Sequence, residues 1–187
     1  MRPQKIETAA LLERLMQVLK SKGYEGASLN DLASASGLKK ASLYHRFPGG
    51  KKDIVMAVLV HADQWLNENV FAVLQNSAKD PSDRLKEALL NTKSFYNDGD
   101  AVCIIRALSL ETGLQIFGST LKVSVEKWLA SLEKVGLDMG MSEEAAKHKA
   151  LQSLILIQGS LVVAKATASK APFLSSIEDI EKMYKQL

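Results

Sequence analysis

Apolar residues return every three or four positions along almost the whole chain, from Leu11, Leu12, Leu15, Val18 and Leu19 to Ile177, Ile180 and Tyr184. No stretch sustains the alternation of apolar and polar residues that a half-buried strand requires. This periodicity confines the chain to an all-α class, and glycine, proline and capping residues divide it into about nine helices. Helix 1 is expected over residues 8–22, stopped by Gly23. Ser28 with Asp31 forms a capping box that opens helix 2 at Leu29, ending near Ala35; Gly37 turns the chain into helix 3, residues 39–47, before Pro48-Gly49-Gly50.

A long fourth helix follows through Ile54, Val58, Ala62, Trp65, Leu66, Val70 and Val73 as far as the breaker Lys79-Asp80-Pro81. Asp80 and Pro81 open helix 5, which reaches the turn at residues 97–100. Helix 6 is expected over 102–112. Helix 7 is traced by Leu121, Val125, Trp128, Leu129, Leu132 and Val135 and ended by Gly136, and helix 8 is capped by Ser142 and runs to about Ala168. Pro172 breaks the chain before a short helix 9 that Ser176 and Asp179 open.

With 187 residues, 47% of them hydrophobic and only four prolines and eleven glycines, the chain can bury a sizeable core. The single cysteine, Cys103, excludes an intrachain disulfide framework, and the start MRPQKIETAA lacks the apolar run of a secretory signal. The most apolar run, residues 151–168, is interrupted by Gln152, Ser153, Gln158, Ser160 and Lys165, which argues against a membrane span. A cytoplasmic protein is expected. Charge is distributed unevenly: residues 1–52 hold ten Lys or Arg against four acids, a net of +6, whereas the rest carries a net of −3. Either a terminal module meets a polyanion or the excess is a set of solvated lysines.

The spacing of Ala33 and Gly37 suits a helix-turn-helix, in which a small residue and a glycine turn let two helices cross closely while Leu32, Leu38 and Leu43 hold them against helix 1. Helix 3 is left with Lys39, Lys40, Ser42, Tyr44, His45 and Arg46 facing outward, a donor-rich face suited to a major groove. A lysine pair at a helix start opposes the helix dipole, so folding alone gives little reason for it. The competing readings are a solvated helix start for Lys39-Lys40 and a tyrosine packed on helix 1 for Tyr44.

From cap to helix 4, the stretch GYEGASLNDLASASGLKKASLYHRFPGGKKDI, residues 23–54, resembles the DNA-binding segment of the TetR family of bacterial one-component repressors. The resemblance implies base-edge contacts at Lys39, Lys40, Ala41 and Ser42 and phosphate contacts at Tyr44 and His45. It also implies a backbone contact at the helix that Ser28 caps, and a DNA phosphate contact at Lys51, which opens helix 4. Arg2 and Lys5 are candidates for an additional basic arm. Arg46 stands where the family usually has His or Tyr. PGGKKD is one residue longer than the usual opening of helix 4 and has no side-chain cap, a form resembling a branch that includes repressors of drug-efflux pumps. CIIRALSLE and QSLILIQGSLVVAKA resemble that branch more loosely.

No enzyme is expected. His45, His61 and His148 are isolated, neither HxxxH nor CxxC occurs, and no glycine-rich phosphate loop follows a strand, so neither a metal nor a cofactor is implied. Cys103 lies in an apolar segment and reads as an inert core thiol.

Two domains are expected: a DNA-binding helix-turn-helix domain over residues 1–50 and a helical ligand-binding and dimerisation domain over 51–187. In the second, the resemblance implies a small-molecule cavity. Its candidate lining is His61, Trp65, Phe95, Ile104, Arg106, Leu108, Glu111, Phe117 and Trp128, although the aromatic residues equally suit a core and the charged ones solvent or an ion pair. Helix 8 is apolar nearly all round, which a small bundle covers from one direction only. Leu151, Leu154, Ile155, Gln158, Gly159, Val162 and Lys165, with Ile177, Ile180 and Tyr184 of helix 9, therefore form a candidate two-fold seam, the alternative being a central helix of a monomer. These features predict a homodimeric repressor that binds a pseudopalindromic operator and is released by a small apolar or aromatic effector. The alternatives are an activator on the same fold and a ligand-binding protein without operator specificity.

Overall fold

A computed structural model of the protein describes residues 6–185; the proposed basic arm of Arg2 and Lys5 lies outside the described residues. Among the described residues there are nine α-helices and no strand. They are α1 (Thr8–Gly26), α2 (Leu29–Ser36), α3 (Lys40–Arg46), α4 (Lys51–Leu66, continued by a π-helical turn Asn67–Phe71 and by Ala72–Gln75), α5 (Pro81–Phe95), α6 (Ile104–Leu108), α7 (Glu111–Asp138), α8 (Glu143–Thr167) and α9 (Ala171–Lys185).

The chain divides into two compact units: residues up to Gln64 with Ile104–Ser119, and Trp65–Cys103 with Thr120–Leu187. The first unit holds the helix-turn-helix together with most of α4, α6 and the start of α7. In the first unit α1 packs on α2 and on α6. Leu11, Leu15, Leu19, Leu32, Leu43, Ile54, Val58, Leu108 and Phe117 are buried there. Gly23 does not end α1 but breaks it, with φ 69° and ψ −176°, and a Cβ at this position would stand 3.4 Å from the Ala107 carbonyl oxygen. Its left-handed φ and its close approach to α6 both favour glycine.

In the second unit α9 packs on α8 and α5 around Tyr96, Trp128, Ile157, Phe173, Ile180 and Tyr184, all buried. Tyr96 stands edge-on to Phe95 and Phe173 at ring distances of 5.1 and 5.9 Å. The Tyr96 hydroxyl, whose ionisation burial suppresses, donates to the Cys103 sulfur and accepts from Gln158 Nε2. The Arg84 guanidinium is buried and donates to the Leu74 carbonyl and to Asp138 Oδ2, each at 2.8 Å. The π-turn in α4 is steadied by Asn91 Nδ2, which donates to the Asn69 carbonyl at 2.6 Å.

Several helix limits differ from the sequence expectation. Helix α7 starts at Glu111 rather than near Leu121, and Gly136 lies inside it: a Cβ there would stand 3.1 Å from the Ala146 Cβ, so this glycine serves close packing. The left-handed turn after α7 falls at Gly140, with φ 89°. Helix α6 is shorter than expected, Ile104–Leu108. Pro172 lies in the first turn of α9, where a missing N–H costs nothing, and Ser176 sits mid-helix with its hydroxyl donating to the Pro172 carbonyl. Helix α8 is long and apolar enough by composition to cross a membrane, with a mean hydropathy of 1.4 in its most apolar window. One of its faces, however, is buried in the fold through Ala146, Ala150, Ser153, Leu154, Ile157, Leu161 and Ala164.

Candidate nucleic-acid interface

Local hydrogen bonds set the α2–α3 pair. Ser28 Oγ accepts from the Asp31 N–H at 3.1 Å while Asp31 Oδ2 accepts from the Ser28 N–H at 3.0 Å, the reciprocal capping box expected from the sequence. Lys22 Nζ donates to Asp31 Oδ1 at 2.6 Å; with the bonds from Ser28 it holds the Asp31 carboxyl well below the usual range. Gly37 takes the left-handed conformation, φ 71°, and returns its N–H to the Ser34 carbonyl. Buried Ser36 completes the turn by donating to the Ala33 carbonyl and accepting from the Leu38 N–H.

Leu32 and Leu43 are buried on one side of the pair. On the other, Ser28, Lys39, Lys40, Ala41, Ser42, Tyr44, His45 and Arg46 are all exposed; the Tyr44 side of the helix is open at 43% exposure, not packed away. Lys51 differs. Its ammonium donates to the Tyr24 carbonyl at 2.7 Å and sits 4.3 Å from the centre of the Tyr24 ring, so it ties the start of α4 to the end of α1. The start of α4, expected to lack a side-chain cap, has one: Asp53 Oδ2 accepts from the Gly49 N–H at 2.6 Å, and the carboxylate fills the space where a Cβ on Gly49 would lie.

Exposed Arg14 escaped the sequence reading; a Cβ on Gly37 would stand 3.6 Å from its Nη1, which puts a further cation at the turn. Its face on α1 is legible only once α1 is packed.

The residues nominated for a ligand cavity fall in both units. Six belong to the first: His61 is half-buried, Ile104, Leu108 and Phe117 are buried, and Arg106 and Glu111 are exposed. Phe117 packs edge-on to Tyr24 at 5.3 Å. In the second unit Trp65 stacks on Phe95 at 4.8 Å, and Trp128 is buried edge-on to Phe71 with its indole N–H unpartnered among the described residues.

The nominated seam divides into buried and open residues. Leu154, Ile177, Ile180 and Tyr184 are buried within the single chain, Tyr184 donating its hydroxyl to the Leu132 carbonyl, and offer little surface to a partner. The open face of α8 is Leu151, Ile155, Gly159, Val162 and Lys165, with half-buried Gln158 beside it and Val163 added to those foreseen. A Cβ on Gly159 would meet nothing within 4 Å.

Residues 11–58 match the model of the family described as bacterial regulatory proteins, tetR family. The chain is 25% identical over 186 residues to the HTH-type transcriptional regulator LmrA of Bacillus subtilis, covering 96% of both chains. It resembles the crystal structure of a TetR transcriptional regulator from Legionella pneumophila, with a TM-score of 0.76 and 22% identity over 97% of this chain and 98% of that one. It also resembles a cysteine mutant of the TetR family transcriptional regulator CifR complexed with a 26 bp double-strand operator DNA, with a TM-score of 0.74 and 22% identity over the same shares. The capped α2, the glycine turn and the outward α3 all lie within the matched residues 11–58, and along its length the chain is similar to HTH-type transcriptional regulators.

Proposed function

We propose that the protein is a homodimeric, effector-responsive repressor that reads a pseudopalindromic operator through two copies of α3. The observation that carries this reading is the sidedness of the α2–α3 pair: its leucines are buried while Lys39, Lys40, Ala41, Ser42, Tyr44, His45 and Arg46 all face solvent. Seven helical residues span about 10 Å, a length that a major groove about 12 Å wide accepts. The first turn then meets base edges and the later residues meet phosphate. The likeness to CifR, whose mutant is complexed with operator DNA, supports the same partner.

Residues 1–50 form the DNA-binding domain in this reading, and 51–187 the effector and dimer domain. Dimerisation uses the open apolar face of α8, and the partner's matching face makes the contact self-complementary. A small apolar or aromatic effector suits the aromatic side chains of the helical body. It releases DNA by binding the DNA-free arrangement more tightly; a coupling of about 1 to 3 kcal/mol changes operator affinity about 5- to 150-fold. The protein works in the cytoplasm, where its operator is.

The test is retardation of the intergenic DNA upstream of the gene, across salt concentrations, against random duplex of the same length. Preference for the intergenic DNA that collapses when Lys40→Ala and Tyr44→Ala are combined supports the reading. Equal binding of both duplexes, or indifference to the double substitution, overturns it.

A further inference from the structure

The last turn of α1 touches two other helices of the first unit at once. On one side the Tyr24 carbonyl and ring hold the Lys51 ammonium that begins α4. On the other the Tyr24 ring packs edge-on to Phe117 in α7. The neighbouring Glu25 reaches the start of α7: its carboxylate accepts from the Gly113 N–H at 3.3 Å and from the Thr112 hydroxyl and N–H, and its own backbone N–H first, then these bonds, hold its pKa below the usual value. A helix start leaves its first N–H groups without intrahelical partners, and here a carboxylate from a different helix takes them, favoured by the dipole.

The joint it caps is not relaxed. Glu111, the first residue of α7, has φ 39°, a left-handed conformation that a non-glycine residue adopts at a cost. Gly113 is equally constrained, since a Cβ there would stand 2.7 Å from the Leu108 carbonyl oxygen. Without the cap, the first N–H groups of α7 would lose this partner, and less would hold Glu111 in its left-handed conformation.

We propose that residues 24–25 are a latch between the α6–α7 joint and the operator-reading helices, with Glu25 the positioning residue that decides whether the joint is held. The inference rests on the effector-responsive reading above and identifies where, within the first unit, a change in α7 meets the helix-turn-helix. The capped joint fixes the end of α1, and through Tyr24 and Lys51 the end of α1 fixes the start of α4, directly after α3 in the chain. Linkage makes the effect reciprocal, so operator binding must in turn hold the joint.

That reciprocity gives a test needing no effector. A duplex is enriched from a random-sequence library on the full-length protein, and hydrogen exchange of residues 104–119 is followed with and without it. The expected result is that the duplex slows exchange at 112–117 at least 5-fold in the wild type. In Glu25→Ala this slowing is lost although the duplex still binds, and Glu25→Gln, which keeps an acceptor oxygen, retains it. A purely structural role of Glu25 speeds exchange equally with and without DNA and leaves the ratio unchanged, and that result overturns the proposal. So does a wild-type joint whose exchange ignores the duplex. If Glu25→Ala does not fold, Glu25→Asp, which draws the carboxylate back by one methylene, takes its place with the same expected loss. Failure to enrich any duplex overturns the regulatory reading and the latch with it, whereas enrichment without a response at 112–117 overturns the latch alone.

Discussion

Lys40 and Arg46 stand at the two ends of α3, six residues and so about 9 Å apart along its axis, and both are exposed. If α3 enters the groove with its first turn foremost, the two cations do different work. Lys40 reaches base edges, so Lys40→Ala narrows the gap between operator and random duplex by about 1 to 3 kcal/mol per half-site, about 5- to 150-fold. Arg46 meets phosphate, so Arg46→Ala weakens every sequence alike. A dimer then loses two phosphate contacts, and the slope of log affinity against log salt becomes shallower by about 1.8. Over a fourfold rise in salt, that removes about a 12-fold share of the affinity loss. Fluorescence anisotropy of labelled operator and random duplexes at four or five salt concentrations yields both quantities for each variant. A reversed pattern, with Arg46→Ala losing discrimination and Lys40→Ala losing only slope, refutes the proposed orientation of α3.

Two further substitutions probe the body. Asp138→Ala removes the carboxylate from Arg84, whose side chain is 2% exposed while that of Asp138 is 29% exposed; the partial exposure sets the cost below that of a fully buried pair, at about 2 kcal/mol. In a chain of this size that lowers Tm by about 4 to 8 °C, and an unchanged melting curve contradicts the clamp. The same pair predicts a pH dependence. Hydrogen bonds from Lys134, and then from Arg84, depress the Asp138 pKa, so its contribution is complete above the ordinary carboxyl value of 3.8 and is lost as pH falls below it through the depressed one. The stability difference between wild type and Asp138→Ala is therefore constant near neutrality and shrinks in acid. For the dimer, Ile155→Asp places a charge on a residue that is 60% exposed, so the monomer fold changes little while sedimentation at micromolar concentration shows monomers; a persistent dimer places the interface elsewhere.

Three helix starts were legible from a local cap, whereas the local cap of α4, Asp53 on the Gly49 N–H, was not. Ser28 with Asp31, Asp80 with Pro81, and Ser142 each satisfy an N–H two or three residues ahead, so the residues and their spacing suffice. The start of α7 was not, because the carboxylate of Glu25 caps it from another helix and no spacing in the chain records that bond. Glycine misled for a related reason. Gly37 marks a left-handed turn, but Gly113 and Gly136 mark close approaches to the Leu108 carbonyl and to Ala146, and a sequence does not distinguish a glycine that stops a helix from one that admits a neighbour.

By itself the sequence determined an all-helical chain and a basic, outward-facing α3, because a 3.6-residue period and a capping box are read within one or two turns. Only tertiary structure decided which apolar residues of α8 and α9 are spent inside the chain, leaving Leu151, Ile155 and Val162 open while Leu154, Ile180 and Tyr184 are covered. It also decided that the ammonium of Lys51 is held by Tyr24. When a helix is apolar nearly all round, its periodicity does not say which side is taken; that depends on what packs against it, and contacts between residues far apart in the chain leave no periodic signal.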